Sequence, residues 1–570
     1  MQLVDTLTER GLLSTTERTR ALDALRAAPE RPQHHVLLDQ NFVREEELLP
    51  MLADEFGLDY VDLMHTAIDP AALVGIPQKL VHKKNLMPIA RHNGTLVVAT
   101  GDPFDTSALE ELQTVTGLHI QPVLGSTKEI ARLLKTHFGV GGDTVSALMQ
   151  EAEAKDDIEL LEDIETDDSE LAKQAQEASV VKLVNQILVE AAAERASDIH
   201  IEQEESGIVI RYRIDGLLQL QRLPPEINRF QAAIVSRLKI MARLNIAEKR
   251  LPQDGRIKMK VQGREVDVRV SIIPMVHGEG IVMRLLDKGR MVFNLKNIGF
   301  LEDYDKKFRQ LIDRPHGIVI VTGPTGSGKS TTLYSALNEV KDESTKIITV
   351  EDPVEYQQTG ICQIQTHAKI GLTFATSLRS ILRHDPDVIL IGEMRDLETA
   401  EAAIQASLTG HLVFSTLHTN DASSAFTRLI DMKVEPFLVA STVEGILAQR
   451  LVRTICADCK TPYPPTSDEL GIDFPKINPF TNAAPGELYK GTGCRNCRSS
   501  GYRGRTGIHE LLVNTDVIKD LVVQRVNSGV IRMEALKQGM RTLRQDGFYK
   551  TLQGRTTLDE INRATAGDLS

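Results

Sequence analysis

The 570-residue chain contains no tryptophan, and aromatic residues make up only 4% of it. Few flat side chains are therefore on hand for stacking single-stranded bases. Basic charge is not in excess either: 66 Lys and Arg stand against 79 Asp and Glu, a formal net charge of −13. Non-specific wrapping of nucleic acid needs a cationic footprint, so this balance disfavours it while leaving local basic patches open. Long apolar runs are missing, and none approaches the roughly 18–20 residues that cross a bilayer. The opening Met1-Gln2-Leu3-Val4-Asp5 lacks a basic stretch followed by an apolar one. No secretory signal is expected, so the chain should stay in the cytoplasm and reach a membrane only through partners. Cysteine is scarce as well, five in all, which excludes a disulfide framework in a chain this long.

What is present is ordinary globular material, 41% hydrophobic and 25% charged. At roughly 100–200 residues per domain, the length implies about three to five domains. In the first 138 residues, Glu45–Phe56 has helical spacing. Thr95–Thr100 reads as a strand that stops at Gly101-Asp102-Pro103. Between Glu151 and Glu170 stand eleven acidic residues and one lysine, preceded by Gly139-Val140-Gly141-Gly142. Like charges beside a glycine cluster predict a solvated, flexible linker over 139–175. Order resumes with a helix over Val180–Arg195 and strands over Gly207–Asp215 and Glu265–Ile273. From about Asn297 to Ile455, buried aliphatic runs alternate with helical stretches, the pattern of a mostly parallel α/β sheet. Residues 456–507 are rich in loops, and the remainder reads as helical.

The strongest local signal is Gly323-Pro324-Thr325-Gly326-Ser327-Gly328-Lys329-Ser330, followed by Thr331. Glycines let successive backbone N–H groups turn inward around phosphate oxygens. Lys329 brings a compact cation to the β/γ oxygens, and the Ser330 hydroxyl can ligate Mg²⁺. The apolar Ile318–Val321 precedes the loop and a helical stretch follows it, so phosphate would rest at a helix N-terminus. Two further apolar runs end in acids. Asp387–Ile391 leads into Gly392-Glu393, and Ile347–Val350 leads into Glu351-Asp352-Pro353. Acids at strand ends beside a phosphate loop are placed to hold Mg²⁺ through water or to polarise an attacking water. A third run carries His411 and His418 at its two ends. Spacing alone leaves structural and functional roles equally open for these histidines.

Cys456-x-x-Cys459 and Cys494-x-x-Cys497 form two hooks separated by 34 residues. Together they make a closed S₄ set suited to structural zinc. Cys362 lies outside the pattern and is expected to be a small buried hydrophobe.

The phosphate loop, the VEDPVEY box, the LIGEMRD strand and the SLTGHLVFSTLHTN box stand in that order, after IAEKRLPQDGR at 246–256. Together they resemble the secretion ATPases of the type II secretion and type IV pilus assembly class, over roughly residues 175–570. The resemblance implies a RecA-like P-loop NTPase domain preceded by a PAS-like α+β domain and a small N-terminal α/β domain, with a zinc-binding insert. The implied division is 1–138 docking domain, 139–175 linker, 176–296 PAS-like domain, 297–455 ATPase core, 456–507 tetracysteine module and 508–570 helical subdomain. It further implies a homohexamer that hydrolyses ATP with Mg²⁺ on the cytoplasmic side of the inner membrane. Its partners would be an integral platform protein and a membrane-anchored docking protein. By resemblance Glu393 binds Mg²⁺ through water and Glu351 activates water, while His418 and His411 sense the γ-phosphate. Arg269 and Arg284 of the PAS-like domain, with Arg379 and Arg383, would complete the site. Where relatives usually carry a basic residue, this chain has Gly280, which weakens the assignment of roles around it.

The tetracysteine insert is absent from retraction motors and so favours assembly. Residues 36–63 resemble the docking domain of assembly ATPases. Some relatives bind cyclic di-GMP there through arginine- and glycine-bearing stretches. The equivalents Leu3–Thr6 and His35–Leu38 lack both residues, so cyclic di-GMP is not expected. A DNA translocase and a nucleotide-gated scaffold without turnover remain the rival readings. No Asn-Lys-x-Asp motif is present to read guanine.

Overall fold

In the computed structural model, the residues described are 3–27, 32–40, 42–64, 66–138, 158–160, 177–221, 225–287, 289 and 292–566. Its contacts divide the chain into two units, Met1–Asp287 and Lys288–Ser570.

The first unit opens with four helices, α1 (Leu3–Glu9), α2 (Thr15–Ala27), α3 (Gln33–Asp39) and α4 (Glu45–Phe56). Their apolar stripes supply Val4, Leu7, Leu37, Leu48 and Leu52 to a small core. Helix α4 covers the segment expected from its spacing and stops at Gly57, whose φ of +66° is left-handed. A four-stranded sheet follows, from β1 (Asp59–Tyr60), α5 (Gln78–Lys83), β2 (Met87–His92), β3 (Thr95–Thr100), α6 (Thr106–Thr116), β4 (His119–Leu124) and α7 (Thr127–Phe138). Its order is β1-β4-β3-β2, with β2 antiparallel to β3 and the other pairs parallel.

Most of the expected acidic linker, the glycine cluster included, lies outside the described residues. Within it, β5 (Ile158–Leu160) pairs antiparallel with a strand of the next sheet, where the charge run had suggested only a linker. Ile158-Glu159-Leu160 alternates apolar and acidic residues, a pattern an edge strand accommodates. The unit continues with α8 (Ala178–Ala193), β6 (Asp198–Glu204), β7 (Gly207–Ile214), β8 (Leu217–Leu220), α9 (Gln231–Met241), β9 (Gln253–Val261), β10 (Arg264–Met275) and β11 (Gly278–Asp287). Their sheet, β5-β9-β10-β11-β6-β7-β8, is antiparallel throughout. Along β10, Val266, Val268, Val270 and Ile272 turn into a core shared with α8 and α9, and Asp267 and Arg269 turn away from it. One buried face against helices gives the α+β layer expected here. Within it, Lys239 Nζ pairs with Glu279 at 2.7 Å and donates to the Glu248 carbonyl at 2.7 Å.

The second unit begins before the expected boundary at 296/297, because Phe293 packs edge-on against Tyr334 and Tyr356 at 5.1 and 5.5 Å. After α10 (Glu302–Ile312) come β12 (Gly317–Thr322), α11 (Lys329–Val340), β13 (Ile347–Glu351), β14 (Cys362–Gln365), α12 (Phe374–Ile381), β15 (Val388–Ile391), α13 (Leu397–Leu408), β16 (Leu412–Leu417), α14 (Ser423–Asp431), α15 (Pro436–Thr442) and β17 (Val443–Ile455). Then follow β18 (Lys460–Tyr463), α16 (Ser467–Leu470), β19 (Leu488–Gly491), β20 (Tyr502–Val513), α17 (Asp516–Val523), α18 (Ser528–Lys537), α19 (Leu543–Leu552) and α20 (Leu558–Thr565). The main sheet runs β14-β13-β15-β16-β12-β17-β20, and β20 alone is antiparallel to its neighbour. Ile318 and Ile320 of β12 enter one core while Val319 and Val321 enter the other. Layers on both faces explain why the strand is apolar at every position. Cys362 corrects an expectation: it starts the edge strand β14 and is exposed rather than buried.

A charged cluster is buried between β20 and α19. Lys550 Nζ donates to Asp546 at 2.6 Å and to the Gly507 carbonyl, with His509 Nδ1 3.3 Å away. All three side chains are inaccessible. Burial, with the Lys550 charge second, holds the His509 imidazole well below its usual range and so neutral. Removing Asp546 strands a buried ammonium. Asp546→Ala should therefore cost about 3–5 kcal/mol, read as a lower unfolding midpoint, and Lys550→Met should cost less, because the Asp546 carboxylate keeps the His509 N–H at 2.9 Å and the Arg541 guanidinium 3.7 Å away.

Candidate functional site

In a parallel sheet, loops at the carboxyl ends of the strands converge on a crevice. Here those ends are stitched together. Gly392 N–H donates to Val350 O at 2.8 Å, Met394 N–H to Thr416 O at 3.0 Å, and Thr416 Oγ1 to Gly392 O at 2.7 Å. Thr322 Oγ1 donates toward Leu417 O and Thr419 O, and accepts from Thr419 N–H at 2.9 Å. The loops after β13, β15, β16 and β12 are thus held as one edge.

The phosphate loop leaves β12 on that edge. Gly323, Gly326 and Gly328 have φ of +145°, +79° and +89°. Two of them are also pressed against β17. A Cβ on Gly323 would meet Gln449 O at 2.4 Å, and one on Gly328 would meet Gln449 Nε2 at 2.7 Å. Gln449 donates from Nε2 to Ser327 O at 2.7 Å and accepts from Thr332 Oγ1 at 2.7 Å. It clamps the loop to the first turn of α11. Sequence reasoning missed this residue. Its signal was a polar side chain in the otherwise apolar Gly445–Ala448 neighbourhood of β17. Gly323, Pro324, Thr325, Gly326, Ser327 and Gly328 form the turn, and Lys329, Ser330 and Thr331 open α11.

Lys329 Nζ donates to Gly323 O at 2.8 Å and Pro324 O at 3.2 Å, capping the loop's own carbonyls. Burial lowers its ammonium from the usual range, and the nearby Glu393 carboxylate opposes that shift. Glu393, whose side chain is 12% exposed, contacts Arg395 Nη2 at 2.6 Å and His418 Nε2 at 3.3 Å. Lysine, carboxylate, histidine and arginine, Lys329, Glu393, His418 and Arg395, therefore meet at one edge; Arg395 was not foreseen. Glu351 ends β13, buried, and accepts from Thr349 Oγ1 at 2.6 Å, Gln363 Nε2 at 3.1 Å and the Tyr334 hydroxyl. Burial first, then the Glu351 charge, pushes the Tyr334 phenol up and keeps it a donor. Because Tyr334 lies on α11, one helix carries both Lys329 and the hydroxyl that anchors Glu351.

His411 is a correction. It precedes β16, and Gly317 N–H, at the start of β12, donates to its carbonyl. Both strands begin there, six residues away from the loop, so at about 3.3 Å per residue His411 lies at the opposite end of the sheet. Its Nδ1 contacts Ala406 O at 2.8 Å and Thr409 Oγ1 at 3.1 Å, holding the C-terminus of α13. It cannot touch a phosphate on Lys329.

The arginines divide by unit. Arg256, Arg269 and Arg284 stand directly opposite one another across β9, β10 and β11. Arg284 also pairs with Asp198 at 3.1 Å. Opposed like charges destabilise a sheet unless opposite charge offsets them, and Asp198 does so for Arg284. In the second unit, Arg379 Nη2 pairs with Glu398 at 2.6 Å, and Arg383 donates to Arg379 O at 2.8 Å, both at the surface.

Four thiols converge between β17 and β20. Cys456–Cys494, Cys459–Cys497 and Cys494–Cys497 Sγ separations are 3.7, 3.8 and 3.7 Å. Zn–S bonds of about 2.3 Å in a tetrahedron give S–S edges of about 3.8 Å, so the donor set fits zinc. Burial opposes ionisation of Cys497, yet the Cys494 and Gly501 N–H donors bring its thiol down to about 7, poised for thiolate ligation.

A protein-family model described as Type II/IV secretion system protein matches residues 173–563, and one described as MshEN domain matches residues 56–144. The Type II secretion system protein E of Xanthomonas campestris is 43% identical over 574 residues, spanning 99% of this chain and 98% of the relative. The Type IV pilus assembly ATPase PilB of Myxococcus xanthus is 42% identical over 569 residues, spanning 98% and 99%. Among solved structures, the Legionella pneumophila ATPase DotB shares the fold, with a TM-score of 0.50 at 22% identity over 68% of this chain and 96% of that one.

Opposite placement of the two histidines separates their roles. His418→Ala should slow ATP turnover roughly tenfold or more, the effect of about 1.4 kcal/mol lost at the transition state. His411→Ala should leave turnover unchanged and cost about 0.5–1.5 kcal/mol of stability. Steady-state phosphate release and thermal unfolding of both variants check this.

Proposed function

The chain belongs to the Type II/IV secretion system protein family and is one of its ATPases, and we propose that it works as a hexameric motor driving filament assembly and protein export. The observation that carries this reading is the shared edge at which Lys329, Glu393 and His418 meet while α11 ties Lys329 to Glu351. A triphosphate on the glycine loop would take the Lys329 ammonium from the Gly323 and Pro324 carbonyls that it caps. Ser330 and Glu393 are the residues that would hold Mg²⁺, which when bound neutralises phosphate charge. Glu351 would orient the attacking water by exchanging one of its present donors for it. His418, bonded to Glu393, reports γ-phosphate loss to the loop after β16.

The arginine row of β9, β10 and β11 would supply charge from the first unit, and Arg379 and Arg383 from the second. Guanidinium groups suit this task because they stay charged and grip phosphate oxygens in pairs. Domain closure on ATP and opening on release would then constitute the stroke. Among the described residues no helix is long and apolar enough to cross a membrane. The proposed place of work is the cytoplasmic face of the inner membrane, reached through a platform protein and a membrane-anchored docking protein that binds the N-terminal domain. Neither nucleic acid nor cyclic di-GMP enters this reading. Relatives named for secretion and for pilus assembly both match end to end, so the reading covers either machine. A structural zinc held by Cys456, Cys459, Cys494 and Cys497 would tie β17 to β20.

Glu393→Gln should retain ATP binding while turnover falls on the order of a hundredfold, and Lys329→Ala should abolish binding. Filament assembly and export left intact in a Glu393→Gln variant that binds but does not hydrolyse ATP would favour the scaffold reading, and DNA-stimulated hydrolysis would restore the translocase. Cys459→Ser should release its zinc and lower the unfolding midpoint, measured by elemental analysis and calorimetry.

A further inference from the structure

Helix α3 enters the N-terminal core with two adjacent histidines, His34 and His35. Neighbouring residues on a helix ordinarily diverge by about 100°, a turn being 3.6 residues. Here both rings are drawn to a single carboxylate, Asp102, in the turn that ends β3. His34 Nε2 lies 3.3 Å from Asp102 Oδ1, and His35 Nε2 lies 3.7 Å from Oδ2. The rings meet edge-on with centroids 4.2 Å apart.

Each side chain is held for this arrangement. Phe104 N–H donates to Asp102 Oδ1 at 2.9 Å, and Thr100 Oγ1 accepts from Asp102 N–H, so the carboxylate cannot swing away. Phe104 packs on the His34 ring at 5.1 Å, with Phe56 edge-on behind it. His34 is 1% exposed, and its Nε2 makes no well-formed hydrogen bond although the Asp102 carboxylate stands 3.3 Å away. A buried ring nitrogen left in that state is costly unless something else takes its lone pair.

We propose that His34, His35 and Asp102 form a divalent transition-metal site, with Zn²⁺ its best-suited ion. Two imidazoles and a carboxylate are its usual oxygen and nitrogen donors. Bonds of about 2.0–2.1 Å in a tetrahedron give ligand edges of about 3.3–3.4 Å. The three ligand atoms here lie within 4.8 Å of one another, with the His34–Asp102 edge already at that length. Three protein ligands leave a position open. A cavity of about 680 Å³ lined by His34, Met51, Phe56 and Phe104 adjoins it, so water or a small anionic ligand can complete the coordination. The ion would pin α3 to the β3 turn and couple the helical cap to the sheet of the N-terminal domain.

The test is the zinc stoichiometry of the purified full chain after equilibration with Zn²⁺, read by elemental analysis after removal of free metal. Cys459→Ser separates this site from the thiol cluster. The expected result is that Asp102→Asn and the exposed-site variant His35→Ala each carry one zinc fewer than the wild type, and that Cys459→Ser keeps the ion lost in those variants. With Co²⁺, the sulfur charge-transfer absorption should survive in His35→Ala while the total cobalt falls by one equivalent. Identical metal content in the wild type and His35→Ala would overturn the proposal, whether or not Asp102→Asn folds.

Discussion

The second unit depends on one close approach, the phosphate loop lying flat against the backbone of β17. With Cβ positions at Gly323 and Gly328 forbidden by Gln449, the loop takes a shape that a free glycine turn would not keep. Gln449 then bonds both the loop and the first turn of α11, so the anion cradle is preformed. Preformed dipoles need no reorganisation when charge arrives, which is the main source of electrostatic catalysis.

From that cradle the sheet sets distances. Strands stand about 4.8 Å apart, so Glu393 at the end of β15 is about 10 Å and Glu351 at the end of β13 about 14 Å across the edge from β12. The hydroxyls of Thr322 and Thr416 hold neighbouring strand ends in register, and Tyr334 bridges the widest interval from α11. Hydrogen bonds rather than loose loops thus link these strand ends.

Stability and function draw on similar charges in different settings. Lys550 and Asp546 are buried and paired, and through the Gly507 carbonyl and the His509 N–H they fasten α19 to β20. Arg256, Arg269 and Arg284 instead stand opposite one another on three neighbouring strands, with Asp198 beside Arg284. The tetracysteine cluster and the His34–His35–Asp102 cluster each gather their donors within 4.8 Å of one another, one from loops beside the main sheet and one from a helix and a turn.

Local pattern was enough for much of this. Continuous aliphatic runs revealed the buried strands β12, β13, β15 and β16, because a strand covered on both faces has no polar position. The glycine loop, the strand-end acids and the paired cysteines declared themselves, since each is a short motif whose spacing is its geometry. That His411 and His418 stand at opposite ends of one run was local, but which end meets the phosphate loop was not, and the parallel register with β12 set His418 there and His411 away from it. Exposure of Cys362 followed from the edge position of β14, and the role of Gln449 from a strand over a hundred residues beyond the loop it holds. Hydrophobic periodicity reports a residue's own burial; strand order, and with it every contact between distant segments, is decided only when the whole core packs.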